Sequence, residues 1–242
     1  MYKNIIIILL LIINFWLVSV SIKKGKFSIY KNLAIKTKEL ENENQFKVTK
    51  ELREHQIKEL ELLKVFIKLC KEHNIHYVAE CGTVLGSIRH RGFVPWDDDI
   101  DLALNREGIE KLRNLTKELK DLGLQIDSAP EKISNPFKPD RNIDKLRYIN
   151  NSGKDIWIDL FEYEEKNGFY YHKYQYLRET CPKQIYTKEE FEKVKLHKFE
   201  DIEINIPSEP YKYLRRVYGD WERLIYEPSH EFKNLKPRSV KI

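Results

Sequence analysis

Trp96-Asp97-Asp98-Asp99-Ile100-Asp101 is the segment with the most chemistry in it, since it sets four carboxylates within five residues. At neutral pH these groups repel one another, and a divalent cation with a preference for hard oxygen ligands, Mg²⁺ or Mn²⁺, would offset the repulsion. Read as a strand, the segment puts Asp99 and Asp101 on one face, about 7 Å apart, with Ile100 and Leu102 entering the core behind. Asp97 and Asp98 stand at the entrance, where a loop role is equally open. A solvated acidic turn is the plain alternative, and the placing of Asp-x-Asp between Trp96 and Leu102 favours the metal reading.

Two further segments supply what such a site needs. Gly82-Thr83-Val84-Leu85-Gly86 follows a predicted strand and opens a predicted helix. Gly82 lets the backbone approach a ligand, and the free N–H groups of the helix start suit an anion. Ile156-Trp157-Ile158-Asp159-Leu160-Phe161 carries one acid among apolar residues. Burying that acid is costly unless it is paired or metal-bound, the alternative being a structural hydrogen-bond acceptor at a strand end. A glycine turn for phosphate, Asp99 and Asp101 for metal, and Asp159 to complete the cluster fit a nucleotidyltransferase-type site.

The elements that must position these groups are legible in part. Ile57, Leu60, Leu63, Ile67 and Cys70 recur at helical spacing after Thr49, a suitable N-cap. A strand is predicted over 76–80, a short helix over 84–89, a strand over 99–104 and an amphipathic helix over 106–122. Strands follow over 145–149 and 156–161. Thr187-x-x-Glu190 resembles a capping box, 202–206 alternates as a strand, and 211–218 reads as a helix stopped by Gly219. The mixture predicts one α+β domain over 49–235, a mixed sheet flanked by helices.

The chain has 242 residues and a net charge of +5. Residues 1–26 hold four lysines and no acid, which leaves 39 basic against 38 acidic residues for the remainder. A near-neutral body lacks the basic excess of a nucleic-acid binder, so nucleic acid is excluded as a partner. The three cysteines show no metal-binding spacing and read as unpaired thiols. Ile5–Ile22 is uncharged, and at the helical rise its length spans about 27 Å, enough for a bilayer core. Residues 1–26 are therefore expected to be a signal anchor and 27–48 a stem, the rival being a cleavable signal peptide ending near Ser19-Val20-Ser21.

The run HYVAECGTVLGSIRHRGFVPWDDDIDLAL, with DIWIDLFEY (155–163) and FEDIEINIPSEPYKYLRRVYGDW (199–221), resembles the LicD/fukutin family over roughly 49–230. The resemblance implies a nucleotidyltransferase-like fold. It also implies transfer of a choline- or ribitol-phosphate type group from a CDP-activated donor to a glycan hydroxyl, with release of CMP. By the same resemblance Asp99, Asp101 and Asp159 match the metal-binding carboxylates and Gly82 and Thr83 the phosphate turn. Arg89, His90 and Arg91 match a basic tract suited to phosphate. Cys81 stands where the family usually has glycine.

Lys145 and Arg147 share one face of a predicted strand and are candidates for the donor pyrophosphate, an exposed strand face being the even alternative. Asp159 or Asp97 is expected to take the acceptor's proton. His55, His73, His76, His172, His197 and His230 need only surface or packing roles. Tyr163, Tyr170, Tyr171, Tyr174 and Tyr176 are expected to be half-buried aromatics before they are ring-stacking ligands. The competing functions are a nucleotide-sugar glycosyltransferase, which also pairs an anchor and stem with Asp-x-Asp, and a non-catalytic accessory protein. Lysines at 23, 24, 26 and 31 favour a cytoplasmic domain, whereas the resemblance to the animal enzymes favours a single-pass protein of the Golgi or secretory pathway with a luminal domain.

Overall fold

The computed structural model describes residues 48–128, 143–149 and 156–222. Thr49 has extended backbone, and its Oγ1 accepts the Leu52 N–H at 3.1 Å, which caps helix α1 (Lys50–Glu72). Leu60, Leu63, Phe66 and Leu69 of α1 enter the core, but Ile57, expected on that face, is 45% exposed. The buried stripe runs instead through His55, Gln56 and Glu59 in the first half of the helix. The chain leaves α1 through Asn74 at φ 49°, a left-handed turn that asparagine tolerates.

Among the described residues seven strands form the main sheet: β1 (Tyr77–Ala79), β2 (Asp101–Asn105), β3 (Leu124–Asp127), β4 (Asp144–Tyr148), β5 (Trp157–Lys166), β6 (Phe169–His172) and β7 (Tyr186–Thr187). The order is β1-β2-β5-β4-β3, with β6 on β5 and β7 on β6. Among these pairings only β2 with β5 is parallel. Its crossover carries helices α3 (Arg106–Asn114) and α4 (Thr116–Asp121) together with β3 and β4. Helix α2 (Cys81–His90) joins β1 to β2. Helix α5 (Gln175–Thr180) joins β6 to β7, and α6 (Lys188–Glu192) follows β7 directly. The hairpin β8 (Lys195–Phe199) with β9 (Ile202–Ile206) and helix α7 (Pro210–Tyr218) complete the described chain. The architecture is a mixed α+β fold, as the pattern of elements predicts.

Two local outcomes have clear causes. The single helix expected over 106–122 is two, because the Thr116 hydroxyl donates to the Arg113 carbonyl (3.2 Å) where the first helix closes at Leu115. Thr187 and Glu190 form the expected reciprocal capping box. Strands β3, β6, β7 and β8 and helix α5 were not legible in the sequence.

Among the described residues no helix is long and apolar enough to cross a membrane. The anchor expected at 1–26, nearly all of the 27–48 stem and the domain beyond residue 222 lie outside the described residues.

Candidate functional site

Parallel pairing of β2 and β5 sets Asp101 directly opposite Asp159, and the Asp159 N–H donates to the Ile100 carbonyl at 3.0 Å. Asp99 is not on the strand: β2 begins at Asp101, so Asp99 rides on the loop before it. Even so, carboxylate oxygens of Asp99, Asp101 and Asp159 lie within 4.8 Å of one another. Asp97, Asp98 and Asp99 make a second such group. Burial, and then the charge of Asp99, pushes the carboxyls of Asp97 and Asp101 well above the usual range. Glu59 of α1 is raised in the same way, by burial first and then by Asp99, Asp98 and Asp97. Crowded hard carboxylate oxygens of this kind are the donor set that Mg²⁺ or Mn²⁺ suits.

The start of α2 supports this cluster from beneath. Thr83 is buried, and its Oγ1 accepts the Asp101 N–H at 2.9 Å. The hydroxyl expected on phosphate is thus turned inward onto the backbone of a metal-binding candidate. A Cβ at Gly82 would stand 2.4 Å from Asp97 Oδ2, so only glycine leaves that carboxylate in place. The N–H groups of Cys81, Thr83 and Val84 are engaged by the Tyr213 hydroxyl and the Glu80 carbonyl. The Gly82 N–H has no acceptor among the described residues. Cys81 sits at φ 41°, a left-handed backbone that explains the glycine usual there.

The basic residues divide. Lys145 Nζ lies 2.9 Å from Asp159 Oδ1 and 4.3 Å from the centre of the Trp157 ring, at the cluster. Arg147 turns away to Asp127 at the sheet edge. Arg89 is buried and donates to the Trp221 carbonyl (2.9 Å) and to His90 Nε2 (2.8 Å). Burial lowers its pKa to about 10. His90 is held neutral, lowered to about 3 by burial and by Arg89, with its ring edge-on to Trp96. Arg91 is exposed and ends α2 at φ 61°, its carbonyl accepting the Glu200 N–H at 2.7 Å. The tract expected to face phosphate therefore braces the loop and the segment after α7. Tyr218-Gly219-Asp220-Trp221 ends α7 as the sequence predicts, with Gly219 at φ 67°. Its Trp221 carbonyl is also the acceptor for Arg89.

Sequence reasoning missed the buried network behind Asp101. The Tyr163 hydroxyl donates to Glu80 Oε1 and lies 2.9 Å from His172 Nε2, which is 3.1 Å from Gln184 Oε1. Burial raises Glu80 to about 8, the Tyr163 hydrogen bond opposing, and lowers His172 to about 4. The only signal available was a glutamate closing an apolar strand in HYVAE. The sequence also gave no sign that His55, Gln56 and Glu59 would face inward.

Residues 74–209 match the family described as LicD/FKTN/FKRP, nucleotidyltransferase domain. An uncharacterized protein of Rickettsia prowazekii is 31% identical over 170 residues, covering 69% of this chain and 57% of that protein. One of Rickettsia typhi is 28% identical over 177 residues, covering 72% and 50%. The lipopolysaccharide cholinephosphotransferase LicD of Haemophilus influenzae is 45% identical over 60 residues, covering 25% and 23%. The chain thus spans about half the length of the Rickettsia relatives. With more than half of its residues inside the matched domain, the chain belongs to the LicD/FKTN/FKRP nucleotidyltransferase-domain family.

Proposed function

We propose that this protein is a metal-dependent phosphotransferase that moves a phospho-alcohol of the choline- or ribitol-phosphate type from a CDP-activated donor to a glycan hydroxyl, releasing CMP. One observation carries the reading: Asp101 and Asp159 face each other across parallel strands with Asp99 alongside, their oxygens within 4.8 Å. The name of the Haemophilus relative, a cholinephosphotransferase, supports it.

Asp99, Asp101 and Asp159 would hold Mg²⁺ or Mn²⁺, which when bound supplies positive charge against donor phosphate oxygens during in-line displacement. The Gly82 N–H, at the helix start, is a donor for one of those oxygens. Lys145 keeps Asp159 oriented along β5. With a cation bound and its carboxylate ionised, Asp97 would take the acceptor's hydroxyl proton. The acceptor oxygen then bonds to phosphorus as the anhydride bond to CMP breaks. A membrane location through residues 1–26 is part of the proposal. The relatives named above are bacterial and lend no support to a Golgi compartment.

The test is to incubate the full chain with Mg²⁺, a glycan acceptor and CDP-choline or CDP-ribitol labelled with ³²P in the alcohol's phosphate. Label in the glycan, with CMP released, is the expected result. No label reaching the glycan from either CDP-alcohol, while a parallel incubation with a ³²P-labelled nucleotide-sugar transfers sugar and leaves its label wholly on nucleotide, overturns the proposal in favour of a glycosyltransferase.

A further inference from the structure

Asp97, Asp98 and Asp99 lie ahead of β2, so no sheet ladder fixes their backbone. The carbonyls of Asp97 and Asp98 are held instead by adjacent residues of α1. Gln56 is 1% exposed, and its Nε2 donates to the Asp97 carbonyl at 2.8 Å and to the Val94 carbonyl at 3.4 Å. His55 is also buried, with Nε2 2.9 Å from the Asp98 carbonyl and 3.3 Å from Glu59 Oε1, so this nitrogen carries the proton. The Asp97 N–H returns to Val94 O at 2.9 Å, closing the turn that Gln56 grips. One turn earlier, Arg53 binds Glu200 through two hydrogen bonds of 2.9 and 3.0 Å. Glu200 in turn accepts the Phe93 N–H and donates its own N–H to the Arg91 carbonyl.

A helix packed for stability alone would carry apolar side chains along its buried stripe, since burying an amide or imidazole is costly unless it is fully bonded. Here three stripe positions are polar, and the hydrogen bonds of two of them end on the carbonyls of the acidic loop. These residues lie before residue 74, where the family match begins.

We infer that His55 and Gln56 are positioning residues of the site: they aim the Asp97–Asp99 loop and thereby set how tightly the carboxylates take a divalent cation. The inference rests on the metal reading above. Groups that orient ligands from behind typically change metal affinity by about 10- to 100-fold when removed.

The probe is Mn²⁺ alone, titrated into the full chain and followed by electron paramagnetic resonance, so no turnover is required. Gln56→Leu and His55→Leu remove the donors at little cost in volume. His55→Gln returns an N–H near the position of Nε2, whereas His55→Asn places it short. We expect the Mn²⁺ dissociation constant to rise at least about 10-fold in both leucine variants and in His55→Asn, and to stay within about 3-fold in His55→Gln. Hydrogen exchange at the Asp97 and Asp101 amides should accelerate in the weakened variants while β4 is unchanged. If the leucine variants do not fold, the comparison of His55→Gln with His55→Asn decides the matter. Wild-type Mn²⁺ affinity in the folded variants, or equal weakening by His55→Gln and His55→Asn, overturns this inference alone. A wild-type chain that takes up no Mn²⁺ overturns both this inference and the metal centre.

Discussion

Replacing Thr83 by valine separates two roles that the sequence leaves merged. Thr83 Oγ1 accepts the Asp101 N–H at 2.9 Å, and the side chain is buried. Thr83→Val keeps the shape and removes the acceptor, leaving the Asp101 amide without its partner. An unsatisfied buried donor costs about 1–3 kcal/mol. For a domain of this size that lowers Tm by about 3–10 °C. Thr83→Ser keeps the acceptor and loses one methyl group, for about 1 kcal/mol. Thermal unfolding in EDTA, where no bound cation contributes, should therefore rank wild type above Thr83→Ser above Thr83→Val. Mn²⁺ titration should show weaker uptake in Thr83→Val, because β2 then starts from a looser Asp101. If the hydroxyl instead binds donor phosphate, Thr83→Val would weaken CDP-ligand binding and leave the EDTA melt unchanged. A Thr83→Val protein that melts within about 1 °C of wild type, or above Thr83→Ser, refutes the positioning argument.

Asp99→Asn and Asp101→Asn should each lower turnover at least ~10³-fold, since each removes a ligand worth several kcal/mol at the transition state; near-normal rates in protein that is folded by circular dichroism would sink the metal assignment. Gly82→Ala should melt close to wild type yet bind Mn²⁺ more weakly, because its Cβ, 2.4 Å from Asp97 Oδ2, displaces a side chain and not the backbone; unchanged Mn²⁺ affinity would show that the close approach has no purpose. Glu80 is raised to about 8 from an ordinary 4.5, so the folded chain binds its proton more tightly and the stabilisation is lost as pH rises through that range. His172, lowered to about 4 from 6.5, has the opposite slope below pH 6.5. Between about pH 6.5 and 8 the Glu80 loss then stands alone within this pair, up to about 2 kcal/mol. Urea unfolding in EDTA should show Glu80→Gln shedding that part of the alkaline loss, and an unaltered slope would refute it.

The elements that carry the cluster were legible because their patterns are local. β2 and β5 each set an acid into an apolar strand; β2 falls within two residues of its expected range, whereas β5 starts one residue late and runs on past the expected end to Lys166. β9, α7 and the Thr187 capping box were equally local. What the sequence could not show is where long-range pairing sends a polar side chain. Arg89 and Arg91 adjoin the motif in sequence, yet one reaches the Trp221 carbonyl and the other ends a helix. Lys145 and Arg147 share a strand face, yet registry puts only Lys145 beside Asp159. Periodicity predicted the apolar side of α1 from Leu60 onward, but it ranks a buried Gln or Glu as solvent-facing. That is why the polar stripe at His55, Gln56 and Glu59 went unread.

The parallel pairing of β2 with β5 explains why one domain can gather acids so far apart in sequence. A hairpin brings together residues that a short turn already joins, so it could not pair position 101 with 159. The crossover through α3, α4, β3 and β4 returns β5 alongside β2 in the same direction, so both strands bring their first residues to the same end of the sheet. Asp101 begins β2, and Asp159 is only the third residue of β5. Both acids therefore stand where the ladder starts, beside the loop that holds Asp97–Asp99 and below the first turn of α2. Moving either acid two residues along its strand would preserve its face and its hydrophobic neighbours, yet carry the carboxylate about 7 Å into the sheet. The site depends on registry at strand ends as much as on the identity of its acids.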